Sequence, residues 1–404
     1  MLSGFVKPEF TAVADAFYRT LPEGQKAGGA ALCVYYRGQP VVDIWAGSRN
    51  RQNEAWAADT LSLSFSTTKG IISTLLHQLV DQGAVSYDAP VAHYWPAFAG
   101  RDKSNITVRH LLTHEAGLYG IRSLIADASE MRDWEHMLRT MEAASPAHHP
   151  GRQNGYHALT YGWLVGGLIE KVTSQPLANT LKELLADPLN LDGCYIGVPD
   201  DELERCADLI VPERKPRVES GNVPRKSLMK KASAQMMDAG LALVGFDADT
   251  FQEAMIPKGM SRFDWNATET RQAVIPGAGG MFTARSLARI YSALANNGEY
   301  DGGRILSPNS LGAISVVQNT KRGVVIPLPM RWRLGYHRVF TTGPRTPNAF
   351  GHFGYGGSGA WCDPSRELAV GYTVNYGSGS PFGDLRISRI NTATINAAER
   401  IAAL

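Results

Sequence analysis

The chain has 404 residues, of which 44% are hydrophobic and 19% charged. That is more than one ordinary core needs and fits two packed lobes. The formal net charge is +2, from 40 Lys and Arg against 38 Asp and Glu, so no global field draws nucleic acid or an anionic membrane. The first ten residues lack the apolar stretch of a secretory leader, and no run reaches the roughly 20 apolar residues that span a bilayer. With a native N-terminus, a cytoplasmic protein with no membrane or nucleic-acid partner is expected. The four cysteines, Cys33, Cys194, Cys206 and Cys362, are scattered and form no C-x-x-C pair, which predicts buried free thiols.

In chain order, apolar positions at Phe10, Val13, Ala14, Phe17 and Leu21 predict a helix over 8–20. Ala30 to Tyr36 and Pro40 to Trp45 read as strands joined by a turn at Arg37-Gly38-Gln39. Ser66 opens a strongly apolar helical segment that closes at Gly83. Helical patterns then dominate roughly 84–270, among them Val108 to Leu112, Trp134 to Ala143 and Leu159 to Val172. The stretch 211–231 is rich in Lys and Arg without interleaved aromatics, and reads as a solvated loop. Arg333 to Phe340, Gly359 to Asp363 and Glu367 to Asn375 return to β patterns, and Leu385 to Leu404 reads as a helix. Strands at both ends with helices between predict an α+β fold, an antiparallel sheet flanked by helices. Residues 1–80 and 271–404 would form a composite domain, with 81–270 inserted as a mainly helical one.

Three segments carry chemistry. In Ser66-Thr67-Thr68-Lys69, a lysine three residues on in the first helical turn shares the serine's face. Burial lowers the lysine's pKa, so it can take the proton a serine must lose to attack. The N–H groups of a helix start can also hold an oxyanion. The same Ser66 would equally serve as a plain N-cap. Pro150 through Ala158 is a turn delivering Tyr156, placed either to relay a proton or merely to pack. The glycine-dense segment Gly351 to Ser358 reads as a strand whose backbone approaches a ligand closely, or as a simple hairpin. His110 and His114 are spaced i, i+4, but no third ligand or H-E-x-x-H pattern accompanies them. They are expected to hydrogen-bond and pack, and neither a metal nor a cofactor is expected. His148-His149 reads as a surface loop. No nucleotide-binding motif is present, and no G-x-S-x-G; Gly356-Gly357-Ser358-Gly359-Ala360 ends in alanine.

Taken together, S-x-x-K at 66–69, Tyr156 and the glycine-rich 351–358 resemble the serine β-lactamase and penicillin-binding-protein superfamily, and within it the family VIII carboxylesterases. Ile106 to His114, Tyr156 to Gly167 and Gly277 to Ala288 add to the resemblance, which runs from about residue 30 to 375. It implies Ser66 as nucleophile, Lys69 as base and Tyr156 as proton relay, with Ser66 and Tyr355 supplying oxyanion-hole N–H groups. Tyr119, His352, Phe353, Gly354, Tyr355 and Trp361 would line the substrate pocket. The sequence departs from the β-lactamase pattern at Ala158, where asparagine is expected, and at His352 and Phe353, where lysine and threonine are expected. Loss of the lysine weakens anion binding, which favours a small-molecule ester of short to medium acyl chain as substrate. A β-lactamase or amidase, a D-amino-acid peptidase, a transacylase and a silent binding protein are the alternatives. Oligomeric state is not legible.

Overall fold

The computed structural model describes residues 2–22, 27–211, 245–377 and 385–404. The basic stretch 211–231 falls, after Val211, outside the described residues. Strands β1 (Ser3–Val6), β2 (Gly29–Tyr36) and β3 (Gln39–Gly47) open the chain. Three short strands follow, β4 (Ser62–Leu63), β5 (Cys194–Ile196) and β6 (Gly280–Phe282). A small hairpin, β7 (Glu299–Tyr300) and β8 (Gly303–Arg304), precedes β9 (His337–Arg338), β10 (Phe350–Phe353), β11 (Gly359–Asp363) and β12 (Leu368–Val374). Seven strands form one antiparallel sheet in the order β1-β3-β2-β12-β11-β10-β9. The two ends of the chain meet at its centre, where β2 pairs β12 with Ala30 opposite Val374 and Tyr36 opposite Leu368. The predicted turn between β2 and β3 is tight: Arg37 and Gly38 have φ of 50° and 71°, the twist a two-residue hairpin requires.

Helices cover both faces. On one face, α1 (Thr11–Tyr18) and the C-terminal helix Leu385–Ala402 bury Phe10, Val13, Phe17 and Ile390 against Leu32, Ile44, Val370 and Tyr372. On the other lies α2 (Thr67–Asp81), every residue of which from Thr67 to Leu79 is buried. A helix buried all round belongs in the centre of a fold. Its Ile71, Ile72, Leu75 and Leu76 join one apolar cluster with Phe350 and Cys362 of the sheet and Trp163, Leu164 and Leu168 of the helix α3 (Thr160–Thr173). That cluster runs without a break from the sheet into the helical region. All four cysteines are buried and free.

Two β expectations change. Of Arg333 to Phe340, only His337–Arg338 pairs with the sheet. Gly335 has φ of 78°, and Arg333 N–H donates to Tyr336 O at 2.8 Å, so a local turn interrupts the strand. Trp361, expected in the pocket, faces the other way. Strand side chains alternate, so Ala360 and Cys362 face α2, while Trp361 packs with α1 and the C-terminal helix. Fully buried there, it donates from Nε1 to Asn391 Oδ1 at 2.7 Å. Trp361→Phe removes that bond and leaves a buried acceptor unpaired, so we expect a loss of about 1–3 kcal/mol, measured as a lowered urea midpoint. An unchanged midpoint would show that the indole contributes packing alone.

Candidate active site

The site begins where β4 turns into α2. Ser64 is tied to β6 by its N–H, which donates to Gly280 O at 2.9 Å. Phe65 has φ of 43°, a left-handed conformation costing a non-glycine residue roughly 1–2 kcal/mol. Such local strain persists only where surroundings hold it, and here Phe65 is buried edge-on between Trp265 and Tyr355. The turn presents Ser66 at the N-cap of α2, yet its hydroxyl caps no backbone N–H. It meets Lys69 Nζ at 3.0 Å instead, so the plain N-cap reading fails.

Lys69 is fully buried. Its Nζ donates to the carbonyls of Ala158 and Gly277, both at 2.6 Å. A Cβ on Gly277 would stand 2.4 Å from Leu159 O, and one on Gly162 would stand 2.0 Å from Gly277 N. Glycine at both positions lets the two carbonyl-bearing segments close on the lysine. Burial, with no opposing contribution of note, pushes the Lys69 pKa well below the ordinary lysine range. Once neutral, the amine still serves both carbonyls with its two N–H bonds, and its lone pair is left for Ser66.

Tyr156 is buried and lines the same cavity as Ser66. Desolvation raises its phenol pKa, with the nearby Ser66 hydroxyl opposing the rise, so the phenol is neutral at neutral pH. Lys69 Nζ lies 5.2 Å from the centre of its ring. The same ring stacks on Trp332 at 5.5 Å and 15°. Trp332 is anchored in turn: its Nε1 donates to Asn154 Oδ1 at 3.1 Å, and Asn154 Nδ2 donates to Thr113 O at 2.7 Å. Beneath these rings, Leu118 N–H donates to His157 Nε2 at 3.0 Å. The proton of His157 is therefore on Nδ1, 3.3 Å from His114 Nδ1. His114 Nδ1 also accepts the His157 backbone N–H at 3.2 Å. His114 and His157 are thus neutral, packed supports. His110 likewise closes a capping box with Thr107. Among the described residues no cluster of three or more His, Cys, Asp or Glu is arranged to hold a metal ion.

The third segment comes from β10 and the turn after it. Gly354 passes so close to Ser64 that a Cβ there would stand 2.2 Å from Ser64 O; the glycine-dense sequence predicts a close approach to a ligand, and the one seen here is to the turn that carries Ser66. Among the described residues, no acceptor pairs with the backbone N–H of Ser66 or of Tyr355. Ser66, Tyr156, His352, Phe353, Gly354 and Tyr355 together line a cavity of about 360 Å³. His352 donates from Nδ1 to Phe353 O at 3.2 Å, so its Nε2 is a lone-pair acceptor, buried and without a partner among the described residues. Desolvation first, then neighbouring His337 and Lys69, hold its pKa well below the usual histidine range.

Tyr119, expected in this pocket, is not there. Its ring lies against Gly155, where a Cβ would stand 2.4 Å from it, and it lines a separate cavity of about 480 Å³. Tyr119 thus packs on the loop that carries Tyr156 without reaching the Ser66 cavity. Sequence reasoning missed the walls Met255, Ile326, Leu328, Met330, Trp332 and His337. No motif marks them; the only signal was that Trp332 precedes, and His337 lies within, the β-type run Arg333 to Phe340.

A family model described as Beta-lactamase matches residues 14–394, nearly the whole chain. The chain belongs to the β-lactamase family. The Esterase/beta-lactamase LipL of Mycobacterium tuberculosis is 37% identical over 379 residues, covering 92% of this chain and 82% of that protein. A crystal structure of a family VIII carboxylesterase is 32% identical with a TM-score of 0.83, covering 98% of this chain and 100% of that one. A penicillin-binding-protein homologue from Caulobacter crescentus also reaches a TM-score of 0.83, at 31% identity and with the same coverage. The chain is a serine hydrolase of the β-lactamase fold. Among the described residues no helix is long and apolar enough to cross a membrane.

Several histidines buried in and around the site give the fold an acid sensitivity. Desolvation, the largest cause in each case, lowers His77 and His157 from 6.5 to about 3 and His337 to about 4. Between 6.5 and those values the unfolded chain binds protons that the folded one refuses, so stability falls as pH falls through that window. The urea midpoint is expected to drop steadily from pH about 6.5 to about 4, and His77→Gln should flatten the slope. A midpoint flat across the window would mean these rings are not held neutral.

Proposed function

We propose that this chain is a carboxylesterase that hydrolyses carboxylic esters of short to medium acyl chain through an acyl-enzyme on Ser66. One observation carries the reading: among the described residues the cavity beside Ser66 has no charged side chain in its lining, and His352, which stands there, is held neutral by burial. Met255, Ile326, Leu328, Met330, Phe340 and Phe353 supply apolar wall. Such a surface favours an acyl chain and repels a substrate carboxylate, which a lysine in place of His352 would attract. The esterase-named relatives point the same way.

In this mechanism Lys69 is the first proton acceptor. Its pKa is lowered by burial, whereas that of Tyr156 is raised. Ser66 Oγ loses its proton to Lys69 Nζ as it bonds to the ester carbon. The carbonyl oxygen becomes an oxyanion received by the N–H groups of Ser66 and Tyr355, a contribution of roughly 3–4 kcal/mol to barrier lowering. When the C–O bond breaks, Tyr156 gives its proton to the leaving alkoxide and is reprotonated from Lys69. Water then attacks the acyl-enzyme, its proton passes to the same pair, and the acid leaves with Ser66 restored.

Wild type should release p-nitrophenol from p-nitrophenyl acetate and butyrate, with an acyl adduct on Ser66 by intact mass. Ser66→Ala should fall to background, and Lys69→Met should lose about 10²–10⁴-fold. kcat/KM should rise with pH along a limb well below the ordinary lysine range as Lys69 loses its proton. Equal rates in wild type and Ser66→Ala would remove Ser66 as nucleophile. Turnover of nitrocefin with none of the esters would return the chain to a β-lactamase reading.

A further inference from the structure

Beside the Ser66 cavity lies a second one of about 590 Å³, and Thr341 lines both. Its wall carries four arginines, Arg331, Arg333, Arg338 and Arg345, and no acidic side chain. Adjacent residues divide between the two spaces: His337 lines the Ser66 cavity and Arg338 the second. None of the four arginines forms an ion pair among the described residues. Several arginines elsewhere are matched: Arg49 meets Glu54, Arg109 meets Asp88 and Arg366 meets Asp363. Clustering like charges without counter-charge is unfavourable and usually serves an anion.

Arg333 is the second, independent sign. It is only 2% exposed. Nε donates to Ser315 O at 2.8 Å and Nη2 to Pro347 O at 2.7 Å, which fixes the guanidinium plane. Nη1 is buried and has no hydrogen-bond partner among the described residues. A buried cation with unmatched donors is costly unless something supplies the acceptor. The surrounding backbone is also held. Arg331 has φ of 52°, and Arg338 N–H donates to Met330 O at 3.0 Å. The loop bearing Arg345 is pinned by Thr341 Oγ1 on Pro344 O at 2.6 Å and Thr346 Oγ1 on Val339 O at 3.2 Å.

We propose that this arginine cavity binds the phosphate or diphosphate group of a small molecule. A carboxylate carries one charge against four, whereas a diphosphate brings several charges and enough oxygens for bidentate guanidinium pairing. The volume leaves room for the diphosphate and part of what it is attached to. The group belongs either to the hydrolysed molecule, entering past Thr341, or to a separate effector.

The test is calorimetric titration of the full chain with sodium pyrophosphate and with inorganic phosphate. Arg331→Ala/Arg345→Ala, two exposed positions, serves as the variant and its fold is checked by thermal melting. Saturable pyrophosphate binding is expected, tighter than phosphate, weakened by salt and weakened at least about tenfold in the variant. Hydrolysis of p-nitrophenyl butyrate by the variant should be unchanged. Competitive inhibition by pyrophosphate would assign the group to the substrate, and binding without competition to an effector. No binding by wild type, or equal binding by the variant, would overturn the proposal. Binding is read without turnover, so its failure and that of the ester reading are separable.

Discussion

The rest of the site depends on one buried amine. Lys69 sits in the first turn of a helix that is inaccessible on every side, and among the described residues no carboxylate accompanies it. Two carbonyls from distant segments, Ala158 and Gly277, converge on it. They fix where two of its protons point and so where its lone pair points. The loop of Tyr156 contributes the first carbonyl, and the segment leading into β6 contributes the second. The glycines at 162 and 277 allow the two to meet. Removing any one of these segments would leave the amine either solvated, and therefore charged, or unpaired.

How much of this was legible from the residues follows from how local each feature is. Ser66 and Lys69 could be read because one helical turn sets their relation. The β2–β3 hairpin could be read because Arg37-Gly38 suits a two-residue turn, and the glycine-dense 351–358 because its backbone must approach Ser64. Tyr156 needed the joint pattern, since nothing in its own loop distinguishes a relay from a packed ring. What was not legible depends on which face of a strand or loop a side chain takes. Trp361 and Tyr119 are aromatic, near the right motifs, and on the wrong side of the backbone. Trp332, His337 and the apolar wall from Ile326 to Phe340 line the cavity on either side of a turn at Gly335 that breaks an apparently continuous strand.

The family resemblance and the geometry answer different questions. The fold, with neighbours at a TM-score of 0.83, says how an acyl-enzyme can be made, and hosts esterases, β-lactamases and peptidases alike. The choice among them rests on what faces Ser66 from β10. At that position the ring of His352 is tethered through Nδ1 and held neutral by burial, where a lysine would carry a charge.

The pairing of β2 with β12 has a consequence for how the molecule comes into being. Residues 30 and 374 are partners in the centre of the sheet, so that sheet cannot close while the chain is still being made. A nascent chain could gather α2 and the helical region early, because those contacts are local. It would then expose β2 and β3 with an unsatisfied edge until the last strands emerge. Maturation is therefore late and all at once, and the interval before it is when the chain is most open to aggregation or to a chaperone's hold.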